Sequence, residues 1–417
     1  MKYCVRCLYP ANHPLNISFD DDGVCSGCRI HEEKDSLNWN FREKKLKRIL
    51  FSYKNSSKEN YDCIIPVSGA RDSYFIVDTI KRLYGLNPLL VTYNKQYNTP
   101  LGIRNLAYLK TIFDCDLLTL TVNPEIVKKV TRITLQEMGS IYWHCIAGQT
   151  VFPVQIAVRF KIPLIIWGVH QGCDQVGMFS HLNEVEMTGK YRKEHDLMGY
   201  EAEDLIAKYN DLKFEDVRPF IYPNDKEIEK VGVRGIYLSN YIRWDSKKQH
   251  EDMIKIYDYR TTEQTRTFDT YNDVDCFNYS DVHDYIKYLK WGFGKVSDHA
   301  TREIRLKRLT REEGIEKVKL YQKKKPKYLK LFLNWIGITE SGFNFLIDRF
   351  RDQRVWERDK THQWRLKDSI LNHINDNGVL KTRLEKYADC IFQVTERLGP
   401  KLKGDGYILI GKGIGQT

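Results

Sequence analysis

No apolar run in the 417-residue sequence approaches the ~18 residues that span a bilayer. The N-terminus, "MKYCVRC", carries no apolar h-region, so no secretory leader is expected. The chain is therefore expected to be soluble and cytoplasmic. Its 10 cysteines would stay reduced there, and cysteine pairs point to metal rather than disulfides. There is no internal repeat and no low-complexity segment. Long blocks of one charge are also scarce. Apart from "REKKLKR" and "QKKKPK", Lys and Arg alternate with Asp and Glu, whereas nucleic-acid binders concentrate their basic residues. The net charge of +11 still favours an anionic partner: a nucleotide, a sugar nucleotide, a nucleic acid or an acidic protein. With 42% hydrophobic residues the chain can bury a large core, and its length suits two or three domains.

The cysteines that do pair are Cys4 with Cys7 and Cys25 with Cys28, in "CVRC" and "GVCSGC". Each C-x2-C turn supplies half of a tetrahedral zinc site, and Gly23 and Gly27 allow the second turn. Four thiolates leave no open position, so the expected zinc is structural. His13 and His31 are read as surface residues. Residues 1–35 hold too little apolar material for a core of their own, and residues 37–57 read as an amphipathic helix with a polar joint.

Strands and helices then alternate. Short, continuously apolar strands are expected at 62–68, 87–94, 115–122 and 162–170. Helices are expected at 73–85, 100–113, 124–138 and 149–160. This alternation predicts an α/β fold, a doubly wound parallel sheet. Ligands bind such sheets beyond the carboxyl ends of the strands, where Ser68, Tyr93 and Gly168 lie. From 171 to 280 the sequence is polar and reads as an elaborated substrate region; 281–325 is strongly helical. Residues 326–417 read as a mostly helical tail ending in a short strand or turn, "GYILIGKGIG". The expected domains are 1–57, 58–280 and 281–417.

Between the first strand and first helix lies Ser68–Ser73, "SGARDS". A helix N-terminus exposes unpaired N–H groups and a partial positive charge, which suits a phosphate. Ser68 and Ser73 bring hydroxyl donors and Arg71 a cation. Asp72 suits a magnesium ion or a cap on the loop. The string is not a Walker A loop. It resembles the S-G-G-x-D-S signature of PP-loop (N-type) ATP pyrophosphatases, enzymes of HUP-like fold that cleave ATP to AMP and pyrophosphate. Ser68, Gly69, Asp72 and Ser73 match, Arg71 fills the free position, and Ala70 departs from the pattern. If residue 70 needs positive φ, alanine there costs about 1 kcal/mol.

The stretch "DVHDYIKYLKWGFGKVSDHATREIRLKRLTREEGIEKVKLY" (281–321), with the cysteine turns and the loop, resembles the N-acetyl sugar amidotransferases of bacterial lipopolysaccharide, O-antigen and flagellin-glycan pathways. Residues 167–205 fit the branch tied to acetamidino derivatives of nonulosonic acids such as pseudaminic acid. The resemblance implies ATP and Mg2+ as well as Zn2+, adenylation of an acetamido oxygen, and attack by ammonia. It also implies a separate glutaminase subunit like that of histidine biosynthesis. In keeping with that, this chain has no glutaminase elbow: "HCIAG" and "QGCDQ" do not fit one, and position 2 is Lys rather than Cys.

The resemblance gives Arg71 and Asp72 catalytic roles. Ser68, Gly69, Ala70, Arg71, Asp72 and Ser73, with Tyr93 and Gly168, would hold the nucleotide. His299, Arg302 and Arg305 recur at helical spacing and are set against an anionic substrate or a solvated basic face. Asp174, Glu184 and Glu186 are set against a sugar or magnesium, or a plain polar loop. Trp143, His144 and Trp167 line a pocket or fill core. Two other readings remain open. One is a PP-loop tRNA-modifying enzyme of the thiolase type, against which stands the lack of any C-x2-C after Cys28. The other is a zinc-ribbon nucleic-acid binder with an inactive loop, which lacks the aromatic-interleaved basic patches it needs.

Overall fold

The computed structural model describes residues 1–54, 59–382 and 384–385. Five parallel strands form the central sheet: β1 (Cys63–Pro66), β2 (Pro88–Tyr93), β3 (Leu117–Leu120), β4 (Leu164–Trp167) and β5 (Arg234–Tyr237). Their order is β3-β2-β1-β4-β5. The chain winds outward from β1 to β3, then restarts on the other side of β1 with β4 and β5. The crevice between β1 and β4 is therefore the switch point of the sheet, where such folds bind ligands. This is the doubly wound parallel sheet that the alternation predicts.

Period-2 alternation divides the strand residues between two faces. Ile64, Leu89, Val91 and Ile165 pack against α6 (Trp143–Phe160). Ile65, Leu90, Leu164, Ile166 and Ile236 pack on the opposite face, against α3 (Arg71–Val77), α4 (Pro100–Ile112) and the helix Ser246–Tyr257. Both faces are covered, so the strands read as unbroken apolar runs. The helix starts follow from local chemistry. Thr99 caps α4 by accepting from the Gly102 N–H, Asn123 caps α5 (Pro124–Met138), and each helix has proline in its first turn. α3 continues as a π-helical turn, Asp78–Leu83, so this helical stretch ends close to Gly85 as expected.

Three features differ from the sequence reading. β5 falls inside 171–280, read as irregular, because of its four residues only Gly235 and Ile236 are fully buried. α6 begins at Trp143 rather than 149 and holds Pro153 within it. After helices Leu329–Ile336 and Glu340–Asp348, the tail forms an antiparallel hairpin, β6 (Trp356–Arg358) with β7 (Trp364–Leu366), rather than more helix. The stretch "GYILIGKGIG" lies outside the described residues, as does Cys390.

The N-terminal residues share their core with the C-terminal region. The four paired cysteines, Tyr9 and Val24 pack with Phe293, while Tyr3 and Leu8 pack with Val296, Ala300, Ile304 and Ile315. His13 is buried, not on the surface: its ring lies 4.8 Å from that of Tyr9 and 5.3 Å from that of Phe293. His31 is half-buried.

Candidate functional site

All four sulfurs of Cys4, Cys7, Cys25 and Cys28 are buried and lie within 4.8 Å of one another. The amides of Arg6, Cys7 and Cys25 point at the Cys4 sulfur at 3.3–3.4 Å. Zinc–sulfur bonds of about 2.3 Å fit a cluster of this size, and directed amides suit thiolates. The residues present therefore fit a closed, structural Cys4 zinc site.

The "SGARDS" loop turns from the carboxyl end of β1 into α3. The Ser68 N–H donates to Ser73 Oγ at 2.9 Å, and the Ala70 N–H donates to Ser68 Oγ at 3.1 Å. Each hydroxyl accepts from the backbone and keeps its own proton to donate. Ala70 has φ −95° and ψ 171°, ordinary extended backbone. Alanine is unstrained there, so its departure from the glycine pattern carries no conformational cost. Gly69 is the demanding position. A Cβ there would lie 2.3 Å from the Gly102 carbonyl oxygen, and one on Gly102 would lie 2.4 Å from the Asp275 Cα. Loop, α4 and the segment around Asp275 are thus stacked backbone to backbone. Asp72 sits in the first turn of α3. The side chain of Arg71 lies outside what the structure describes.

A cavity of about 640 Å3 is lined by residues that include Tyr9, Trp143, Val169, Asp196, Trp244 and Lys290; the loop itself is not part of its wall. The cysteine unit, α6, the end of β4 and the C-terminal helices each contribute a wall. β1 and β4 are neighbours, with Ile64 paired to Ile165, so the loop leaves the sheet next to the segment after β4 that carries Val169. Trp244 spans the two, its ring 5.5 Å from that of Phe75 on α3. Gly168 permits this approach, since a Cβ there would lie 3.0 Å from Ile76 and 3.3 Å from Trp244.

The other residues singled out in the sequence divide sharply. Asp174, His299, Arg302 and Arg305 reach the cavity wall. Burial pushes the His299 imidazole down to about 3, so it is neutral, with Nδ1 2.8 Å from Thr267 Oγ1. Arg302 donates to Asp269 at 2.7 Å and to Glu303 at 2.9 Å. Arg305 donates to the carbonyls of Asp174 and Gln175 at 3.1 and 2.7 Å, and its Nη2 is 3.6 Å from Cys25 Sγ. This row mainly locks the helix Lys295–Arg305 to its neighbours. Burial works against the Asp174 charge, yet its ion pair with Lys34 holds the carboxyl at about 2. Glu184 pairs with Lys45 at 2.6 Å and Glu186 with Arg234 at 2.6 Å, and neither lines the cavity. Tyr93 is buried against Gly148 of α6, and its hydroxyl lies 3.0 Å from His144 Nδ1. Both therefore belong to the core. Trp143 lines the cavity; Trp167 does not.

The sequence reading missed Asp196, Lys290 and Trp244. Burial pushes the Asp196 carboxyl up to about 7 and the Lys290 ammonium down to about 8. No motif surrounds them; only their burial in one cavity marks them.

Fold and site thus define an α/β chain with a doubly wound parallel sheet, a cysteine-rich N-terminal unit and a C-terminal region of helices and one hairpin. Residues 265–370 match the family model described as LPS biosynthesis protein WbpG-like, C-terminal domain. A relative from Methanocaldococcus jannaschii, the uncharacterized protein MJ1599, is 26% identical over 117 residues, 28% of this chain and 42% of its own length. The match thus spans less than half of that relative. Among solved structures, an NH3-dependent NAD synthetase from Campylobacter jejuni, in complex with the nitrate ion, aligns over 47% of this chain and 92% of its own. Its identity is 12% and its TM-score 0.28. Among the described residues, no helix is long and apolar enough to cross a membrane.

Proposed function

We propose that this chain is the synthetase subunit of an ATP-dependent amidotransferase. It would convert the acetamido group of a sugar to acetamidino in the assembly of a bacterial surface glycan, such as LPS, O-antigen or a flagellin glycan. The observation that carries the reading is the junction at the sheet's switch point. There the "SGARDS" loop leaves β1 next to β4, and the segment after β4 enters a cavity walled partly by the stretch that matches the WbpG-like family model. Ser68, Gly69, Ala70 and Ser73 would cradle the ATP phosphates, with Arg71 as a cation and Asp72 facing Mg2+. Adenylation turns the amide oxygen into a leaving group, after which ammonia displaces AMP. The ammonia would come from a separate glutaminase subunit, and the acceptor is an acetamido sugar or nonulosonic acid, free or nucleotide-activated.

The test is to supply the zinc-loaded protein with ATP, Mg2+, ammonium and a panel of CMP- and UDP-activated acetamido sugars and free nonulosonic acids. Sugar-dependent AMP and pyrophosphate, with a sugar product one mass unit lighter, is expected. No AMP with any acceptor sinks the reading.

The loop makes a paired prediction. Ala70→Gly should cost about 0.4–1 kcal/mol of stability through the freer unfolded chain and should not tighten ATP. Gly69→Ala forces backbone against backbone, an overpacking cost of about 1–3 kcal/mol, and should weaken ATP binding at least tenfold by titration calorimetry. Tenfold tighter ATP with Ala70→Gly would show that alanine damages the loop after all.

A further inference from the structure

We propose that Asp196 is the general base that takes a proton from the incoming ammonium ion. This rests on the amidotransferase reading above. Asp196 ends the π-helical turn Arg192–Asp196 and lines the cavity beyond the ends of β4 and β5. Its carboxylate has no hydrogen-bond or ion-pair partner among the described residues. The nearby cation, Arg192, donates through Nη1 to Glu201 at 2.5 Å and through Nε to Thr150 at 2.9 Å, and none of its nitrogens reaches Asp196 within hydrogen-bond distance.

Around Asp196 stands a cluster of rings. His170 lies 4.4 Å from Tyr191 and 4.7 Å from Tyr237, centroid to centroid. The Asp196 charge is felt at both tyrosines and helps to raise their hydroxyl pKa values, behind burial as the main cause. Burial pushes His170 down to about 4, so it is neutral and does not repel a cation. Lys193, Glu194 and His195 stand on the same turn, while Cys173 acts on both tyrosines and Tyr222 on Tyr237.

A carboxylate held without a partner in partly desolvated surroundings is costly. A small cation would relieve that cost, held by the carboxylate and by ring faces. Ammonium is such a cation, and it becomes a nucleophile only when it loses a proton. Burial places the Asp196 carboxyl at about 7, where it is partly ionised at neutral pH and basic enough to accept that proton. The step balances. Of the four ammonium protons, one passes to Asp196, one goes to water as the tetrahedral adduct collapses, and two stay on the amidine. The nitrogen lone pair forms the new C–N bond. The C–O bond to the adenylate breaks, and its electron pair leaves with AMP.

The test is Asp196→Asn, which keeps the shape and removes the base. Two readouts are taken on zinc-loaded protein with the same sugar panel: sugar-dependent pyrophosphate–ATP exchange, which reads adenylation, and amidine formation by mass. Exchange should stay within about threefold of wild type, while amidine formation at pH 7 falls by about 10²-fold or more. At fixed total ammonium, the wild-type rate should rise through pH 7 and level off. The variant depends on free ammonia and should climb about tenfold per pH unit towards the pKa of ammonium itself, closing the gap. Asp196→Glu should restore part of the neutral-pH rate. The proposal is overturned if the variant makes amidine at the wild-type rate with the wild-type pH profile, or if exchange and amidine fall together. A wild type inert in exchange with every sugar defeats the amidotransferase reading itself, and this proposal with it.

Discussion

Cys28→Ser, or removal of the metal with a strong chelator, should unfold residues 1–35 while leaving the five-stranded sheet folded. The cysteine cluster packs on only a few other side chains, Tyr9, Val24 and Phe293 foremost. Metal affinity in small cysteine-rich units is worth about 10–16 kcal/mol near neutral pH. Even a third of that exceeds what so small an apolar cluster supplies. The two clusters that build the sheet core contain no residue from 1–35, so they should survive. Lys34, now buried in its ion pair with Asp174, should become a trypsin site. The effect should reach the cavity, because Tyr9 and His13 form part of its wall and Arg305 leans on the second turn. A Cβ on Gly27 would lie 2.2 Å from Arg305 Nη2, so the guanidinium rests directly on that turn. The measurements are zinc content, limited proteolysis and hydrogen exchange. If Lys34 stays protected after the metal is shown to be gone, the site is not what holds this unit together.

The parts of this fold legible in the sequence are those whose signal is local. β1, β2 and β4 are buried on both faces and so appear as unbroken apolar runs. The cysteine quartet announces itself by spacing, and "SGARDS" by standing between a strand and a helix. What stayed hidden is set by partners far along the chain. Nothing near Tyr93 says on which face of the sheet its ring falls, and only α6 and Gly148 decide that it is core. His299, Arg302 and Arg305 do share one side of a helix, as their spacing requires. Their partners, Thr267, Asp269 and the Gln175 carbonyl, come from other segments and make that side a buried joint within the cavity wall. The cavity was invisible for the same reason, since its walls run from Tyr9 to Leu306. Whether Ala70 is a defect was likewise a question of one dihedral angle, and its extended φ removes the objection.

Lys95→Met should be the most damaging single change outside the cysteine unit, costing about 3–5 kcal/mol, because it strands a buried carboxylate. Lys95 Nζ lies 2.6 Å from Asp275, and both side chains are 8% exposed. Burial opposes the Lys95 charge, but Asp275 overcomes it and holds the ammonium pKa well above its ordinary value. A raised folded pKa contributes stability in full below the unfolded value and loses it only as pH rises through the folded one. On the lysine side, the pair should therefore hold through neutral pH and be lost as the pH rises into strong alkali. Its position makes the cost functional as well as structural. Lys95 follows β2, and Asp275 sits in the segment that the Thr99 hydroxyl and amide tie to the start of α4, through the Val274 and Asp275 carbonyls. Asp275 presses on Gly102, and Gly102 presses on Gly69 of the loop. Loosening the pair should thus loosen the loop, so that ATP binding falls along with the urea midpoint. Lys95→Met combined with Asp275→Leu removes both charges and should recover much of the stability, since two apolar groups leave nothing unpaired. Recovery of stability without recovery of ATP binding would mean that the charge pair also sets the loop's position. A Lys95→Met protein as stable as wild type would mean that the carboxylate finds water or another partner, and that this contact does not brace the loop.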